Sequence, residues 1–188
     1  MDKTALVLFG SPHENGHTAA LLEVFLNHLK EKKYEIKIIN AYQKNVKPCT
    51  DCSFCKSKEG CVYSDTDDID STLQTCDLLI IATPVYNASF PAPLKTIFDR
   101  FQRYFNAKYT LGIVPPVKKA KQAVALLTQG SDISFEETIK KQLNPIFKLL
   151  NAQCIGQVTW SGTDNKNFNL DKFLINSNNK IRDVMNKL

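Results

Sequence analysis

No stretch of this 188-residue sequence reaches the ~18 consecutive apolar residues that a membrane helix needs. The opening Met1-Asp2-Lys3-Thr4 lacks a basic segment followed by an apolar one, so a cytoplasmic chain with no membrane contact is expected. Positive charge is in slight excess, 24 Lys plus Arg against 19 Asp plus Glu for a net +5, but there is no long basic block. Short groups such as Lys30, Lys32, Lys33 and Lys118, Lys119, Lys121 read as solvated faces. They argue against a nucleic-acid partner and leave room for anionic small molecules. Glycine is scarce, and no G-x-G-x-x-G follows the first apolar run, which disfavours the dinucleotide-binding form of an α/β sheet. Internal repeats and low-complexity segments are also missing. What remains is a chain with 43% hydrophobic residues, enough for one full core, so residues 1–188 read as a single domain.

Hydrophobic period divides that domain. Thr4 to Phe9 is a short apolar run ended by Gly10, long enough for a buried strand and too short for a helix. From Thr18 to about Lys32, Leu21, Leu22, Phe25, Leu26 and Leu29 recur at three- and four-residue steps and mark one helix face. Tyr34 to Asn40 and Asp77 to Thr83 read as strands, and Leu94, Ile97, Phe98, Phe101 and Phe105 as the face of one helix. A strand at Gln122 to Leu127, a helix from Glu136 to Leu150 kinked by Pro145, a strand near Cys154 to Trp160 and a helix from Leu170 complete the chain. Five strands alternating with helices predict a three-layer α/β fold with a parallel sheet, whose better-supported strand order is 2-1-3-4-5.

In such a sheet ligands sit beyond the carboxyl ends of the strands, where the winding reverses, so the loops after the first, third and fourth strands carry the candidate site. The first, "GSPHENGHT" at 10–18, offers the Ser11 and Thr18 hydroxyls, His13, His17, and backbone amides near Gly16 at a helix start, which suit a phosphate. The second, "TPVYNAS" at 83–89, fixes the backbone with Pro84, and Val85 leads to Tyr86, a planar surface. Asn87, Ala88 and Ser89 complete the loop. The third, "TQGSD" at 128–132, carries Gly130, which permits close backbone approach. A phosphate at one end and a flat ring at the other describe a mononucleotide such as FMN. The plainer alternative, a turn whose His17 or Thr18 only caps a helix, stands beside it. A phospho-acceptor receiver domain would need a carboxylate at the end of the third strand, where this chain has Thr83-Pro84.

"GSPHENGHTAALL" and "TPVYNASFPAPLKTIFDR" resemble the phosphate loop and the isoalloxazine loop of the flavodoxin-like NADPH-dependent FMN reductases, and the segment between them resembles their iron-sulfur flavoprotein branch. His13 stands where that family commonly has arginine, His17 where it has asparagine, and Ala88 where it has glycine. Imidazole still donates to phosphate. The resemblance implies a flavodoxin-like fold and an enzyme in which FMN accepts hydride from NAD(P)H. Electrons then go to a quinone, a flavin or another small-molecule or protein acceptor, and no side chain need act as acid or base. It also implies a homodimer or homotetramer with the flavin near a subunit interface.

Residues 48–61 read "PCTDCSFCKSKEGC", placing Cys49, Cys52, Cys55 and Cys61 in a C-x2-C-x2-C-x5-C pattern within a cysteine-rich insert at 46–64. Two-residue gaps turn sulfurs toward a common centre, as a [4Fe-4S] cubane needs. A zinc site and a set of reduced thiols are the alternatives, while a structural disulfide suits a cytoplasmic chain poorly. With a cluster, the chain could instead be an electron carrier between protein partners. Cys76 and Cys154 adjoin strands and are expected in the core, and His28 is expected to be structural.

Overall fold

Short apolar runs separated by amphipathic stretches build one parallel sheet in the computed structural model, which describes residues 3–188. Its strands are β1 (Thr4–Phe9), β2 (Glu35–Asn40), β3 (Leu78–Pro84), β4 (Lys121–Thr128) and β5 (Ala152–Trp160). They run parallel in the order β2-β1-β3-β4-β5, the predicted flavodoxin-like arrangement. Register is regular from Thr4↔Glu35 to Phe9↔Asn40 and from Leu78↔Gln122 to Pro84↔Thr128. Between β4 and β5 an irregularity at Ala123/Val124 leaves Ile155 unpaired.

Each central strand is buried on both faces, as a parallel sheet between helices requires. On one face Leu6, Leu8, Leu79, Ile81, Ala125 and Leu127 meet α3 (Asp67–Leu73), α4 (Ala92–Arg100), α5 (Gln102–Tyr109) and α6 (Glu136–Leu149). On the other, Val7, Phe9, Ile80, Ala82, Val124 and Leu126 meet α1 (His17–Glu31) and α7 (Leu170–Met185). Helix α1 contributes Leu21, Leu22, Phe25 and Leu29, the face read from its period. His28 acts as expected, its Nε2 lying 2.7 Å from Asn178 Oδ1 on α7. Pro145 sits on the exposed side of α6 and the helix continues past it to Leu149.

The structure departs from three sequence expectations. The single helix expected through Phe105 is two helices, because three-residue steps (Phe101 N–H to Phe98 O, Tyr104 N–H to Phe101 O) tighten the chain at Phe101. The tightening shifts the buried face onto Tyr104 and Ala107 and leaves Phe105 exposed. The stretch between β2 and β3 contains two short helices, α2 (Phe54–Ser57) within the cysteine segment and α3 after it, that no apolar period announced. Cys76 is buried as expected, but Cys154 is exposed, because β5 is an edge strand and its outer end is not fully covered. Among the described residues no helix is long and apolar enough to cross a membrane.

Asp77 fastens the amino ends of three strands. Its N–H donates to Thr4 O, its carbonyl accepts from Gln122 N–H, and its Oδ2 accepts from Thr4 N–H at 2.8 Å. Burial works against the carboxylate charge, but the Lys119 ammonium, 2.7 Å from Oδ1, and the Thr4 donors outweigh it and hold the pKa below the usual value. A depressed folded pKa gives stability that is present above the unfolded value of ~3.9 and is lost as pH falls through the folded one. Asp77→Asn is therefore expected to lower stability by about 1 kcal/mol at neutral pH, with the difference shrinking below about pH 4. Urea unfolding at the two pH values checks this, and an equal loss at both would contradict it.

Candidate functional site

All five strands end on one edge of the sheet, and the loops after β1, β3, β4 and β5 meet there. The first loop starts at Gly10, buried with its N–H on Ala82 O. A Cβ at Gly10 would lie 2.6 Å from Leu94 Cδ2 and 2.8 Å from Thr83 Oγ1, so only glycine lets the loop leave β1 under α4. Helix α1 then begins after Gly16 with no side-chain cap and no acidic residue in its first turn. The N–H groups of His17, Thr18 and Ala19 are left without helical acceptors and carry the positive end of the helix dipole. Thr18 does not cap. Its buried Oγ1 lies 2.6 Å from Thr128 Oγ1 at the end of β4 and ties the helix start to the sheet. Ser11 is buried too, its Oγ accepting from His13 N–H at 3.2 Å, and the His17 ring packs against Phe168 with centroids 4.6 Å apart.

These groups line a cleft of about 500 Å³ that brings together Ser11, His13, Gly16, His17, Thr18, Pro84, Val85, Tyr86 and Gly130 from the sequence reading. That volume lies within the range of small-ligand sites. None of its lining side chains is Lys or Arg, so an anion there would be met by N–H and O–H donors and imidazoles. Asn87 and Ala88 lie beside Tyr86 in an adjoining cleft that shares Val85, Gln129, Gly130 and Asp164. A phosphate-bearing flavin fits this donor set, with polar donors at the α1 end and the Tyr86 ring, 42% exposed, at the other.

The second loop folds tightly. Tyr86 and Ser89 exchange both backbone hydrogen bonds at 2.9 Å, and between them Asn87 (φ 50°) and Ala88 (φ 58°) are both left-handed, the geometry of a two-residue I′ turn. The N–H groups of Asn87 and Ala88 are unused within the turn. That of Ser89 is not free, since it is bound to Tyr86 O, and the Ser89 hydroxyl donates to Gln142 Oε1 at 2.9 Å. Gln142 on α6 also donates from Nε2 to Ala88 O at 2.9 Å and clamps the turn from behind.

Sequence reasoning missed the contribution of the loop after β5. Thr163 and Asp164 line the cleft, and Asp164 Oδ2 lies 2.0 Å from where a Cβ on Gly130 would be. The space opened by Gly130 is taken by this carboxylate. Buried Gln129 shapes its own loop, donating to Ser131 O at 3.1 Å and accepting from Phe135 N–H at 3.3 Å. Gln142 and Asp164 carry no local signal, since each is defined by a partner in another loop.

The cysteine segment forms a second site on the face covered by α4 and α5. Cys49, Cys52, Cys55 and Cys61 line one cavity, Cys49 and Cys52 exposed and the other two half-buried. Among the described residues no three Cys, His, Asp or Glu side chains converge as ligands of a single ion. The loop carries left-handed residues at Asp51 (φ 49°) and Ser53 (φ 62°). Arg100, 2% exposed, donates to Lys47 O at 2.9 Å, Tyr63 O at 3.3 Å and Cys61 Sγ at 3.2 Å. Its Nη1 also lies 2.8 Å from Asp65 Oδ1, an ion pair without hydrogen-bond geometry. Burial opposes the guanidinium charge, but Cys61 and Asp65 outweigh it and push its pKa up. Asn106 Nδ2 donates to Cys55 Sγ at 3.1 Å. Four thiols with N–H donors behind two of them suit a cubane, whose irons stand at separate corners.

The model of the NADPH-dependent FMN reductase family matches residues 4–166. An iron-sulfur flavoprotein of Methanocaldococcus jannaschii is 30% identical over 140 residues, covering 73% of this chain and 67% of that protein. An iron-sulfur flavoprotein of Methanosarcina thermophila is 33% identical over 92 residues, so the match spans about half of either protein, 48% of each. Among solved structures the azoreductase AzrA superposes with a TM-score of 0.73 over 98% of this chain and 100% of that one. At 17% identity this likeness bears on the fold alone.

Ala88 generates the prediction for this site. An alanine in the left-handed region costs about 1–2 kcal/mol, which glycine avoids at the expense of greater freedom in the unfolded chain. Ala88→Gly is expected to raise stability by about 0.5–1 kcal/mol. Denaturant unfolding of the FMN-free protein checks it, and a destabilised variant would contradict the strain assigned to this turn.

Proposed function

The chain belongs to the NADPH-dependent FMN reductase family, and we propose that this single domain, with its cysteine-rich insert at 46–64, is an FMN-dependent oxidoreductase. In this reading it takes hydride from NAD(P)H in the cytoplasm and passes electrons to a quinone, a flavin or another acceptor. One observation carries it: the cleft in which uncapped α1 amides, buried hydroxyls and two imidazoles face the Tyr86 turn across about 500 Å³. FMN, when bound, supplies the hydride-accepting and electron-releasing chemistry. The chain's own residues bind and orient it. The amides of His17, Thr18 and Ala19, with Ser11, Thr18, His13 and His17, would hold its phosphate, and the N–H groups of Asn87 and Ala88 with the Tyr86 ring would hold the flavin ring. Thr128, Gln129 and Thr163 line the cleft between these groups, and Gln142 keeps the Tyr86 turn in shape. No side chain need move a proton. Six free cysteines support a reducing compartment.

The shared cavity of Cys49, Cys52, Cys55 and Cys61 favours a second reading, in which they hold a [4Fe-4S] cluster and the chain also carries single electrons to protein partners. Helix α4 links the two sites. It starts just beyond the Tyr86 turn and ends at Arg100, about 13 Å along its axis. The reading includes a homodimer or homotetramer, supported by the exposed Phe105, Tyr109 and Val62 near the cysteine segment. Sedimentation as a monomer would remove that part.

Two measurements test the readings separately. Ser11→Ala with Thr18→Ala is expected to weaken FMN binding by about 1–3 kcal/mol in a fluorescence titration, the size of lost hydrogen bonds to a charged group. Unchanged affinity would take phosphate recognition away from this loop. Protein purified without oxygen is expected to hold about four irons per chain. Cys52→Ser should lose the visible iron-sulfur absorbance while keeping FMN. Protein with FMN but no iron would leave a plain flavin reductase with a thiol-bearing loop.

A further inference from the structure

Two of the four insert cysteines are treated differently from the rest. Cys55 and Cys61 are half-buried and each accepts one side-chain hydrogen bond, from Asn106 on α5 and Arg100 at the end of α4, whereas Cys49 and Cys52 are exposed. Both donors are themselves buried, at 3% and 2% exposure. Neither is free to serve water instead. Arg100 is anchored on Lys47 O, Tyr63 O and Asp65, and the Asn106 side-chain Oδ1 accepts from Thr110 Oγ1 at 3.3 Å. Nothing in the flavin cleft touches either residue, so the oxidoreductase reading leaves them without a role.

We propose that Arg100 and Asn106 are positioning residues that set the redox poise of the cysteine site by donating N–H groups to the sulfurs of Cys61 and Cys55. The inference rests on the cluster reading above. Adding one electron to a thiolate-bound cluster increases the negative charge on its sulfurs, and N–H donors to sulfur stabilise the more negative state. Hydrogen bonding, net charge and solvent exposure are the established controls of such potentials. A charged guanidinium shielded from water acts with little screening, so Arg100 weighs more than the neutral amide of Asn106. Both raise the potential. Among the described residues the exposed Cys49 and Cys52 receive no comparable side-chain donor and leave the poise to the α4–α5 side.

The test is a dithionite titration of anaerobically prepared full-length protein, followed by electron paramagnetic resonance, for the unmodified chain, Asn106→Leu, Asn106→Ser and Arg100→Gln. Asn106→Leu removes the donor at similar size. It is expected to lower the reduced-to-oxidised ratio at a fixed potential about tenfold, a midpoint ~59 mV more negative for one electron. Arg100→Gln is expected to move it further, and Asn106→Ser, which keeps a hydroxyl donor, less than leucine. Because Arg100 also anchors the segment, the Asn106 pair decides the matter if Arg100→Gln does not fold. Full iron content with unmoved midpoints in Asn106→Leu and Arg100→Gln overturns the inference and leaves the cluster reading standing. Iron lost equally from Asn106→Leu and Asn106→Ser also overturns it, since packing would then be the role of this residue. Iron lost only from the leucine variant supports the donor. An unmodified protein without iron removes the cluster reading and this inference together.

Discussion

A parallel sheet brings every strand to an end on the same edge, and the candidate flavin cleft is built on that edge. Phe9, Pro84, Thr128 and Trp160 finish their strands there, and four loops must share the space beyond them. Two buried covers hold the sheet rigid, one of α1 and α7 and the other of α3 to α6. The start of α1 is locked by the Thr18–Thr128 hydroxyl pair, so its free amides point at a place the sheet determines. Pre-positioned donors of this kind need no rearrangement to meet an anion.

The loops are shaped by more than their own residues. Ala88 at φ 58° would not hold that conformation in a free peptide, and Gln142 keeps it there from α6 with two hydrogen bonds. Gly130 leaves room for the Asp164 carboxylate, which lies against it, and its own φ is not left-handed. Strain in one loop is thus offset by an element packed behind it, a common arrangement at functional sites.

The cysteine segment follows a different rule. It has little apolar residue content of its own, and polar contacts dock it on the α4–α5 pair. Arg100 gathers Lys47, Tyr63 and Asp65, while Asp70 receives Arg103, Tyr104 and Thr66. Burial pushes the Asp70 carboxyl up, only partly countered by Arg103 and the hydroxyl donors, so this junction is held by partners rather than by solvation. The break between α4 and α5 belongs to the same junction, since Arg100 lies at its edge.

Strand positions, the strand order and the face of α1 were legible in the sequence, because burial on a sheet or helix writes its period into neighbouring residues. So were the residues of the 10–18 loop, the Tyr86 loop and the four-cysteine spacing, each a compact motif of a few residues. Helix α3 was not legible, having only seven residues and three aspartates. Nor was the break at Phe101, where apolar residues continue on both sides, or the exposure of Cys154, which follows from β5 being at the sheet edge. The sequence alone determined the α/β class and the chemical types gathered in each loop, since both are properties of short stretches. Tertiary structure decided the pairings Thr18 with Thr128, Ala88 with Gln142, Gly130 with Asp164 and Cys61 with Arg100. Each joins residues at least thirty positions apart, and only the packing of the helices on the sheet brings them within contact.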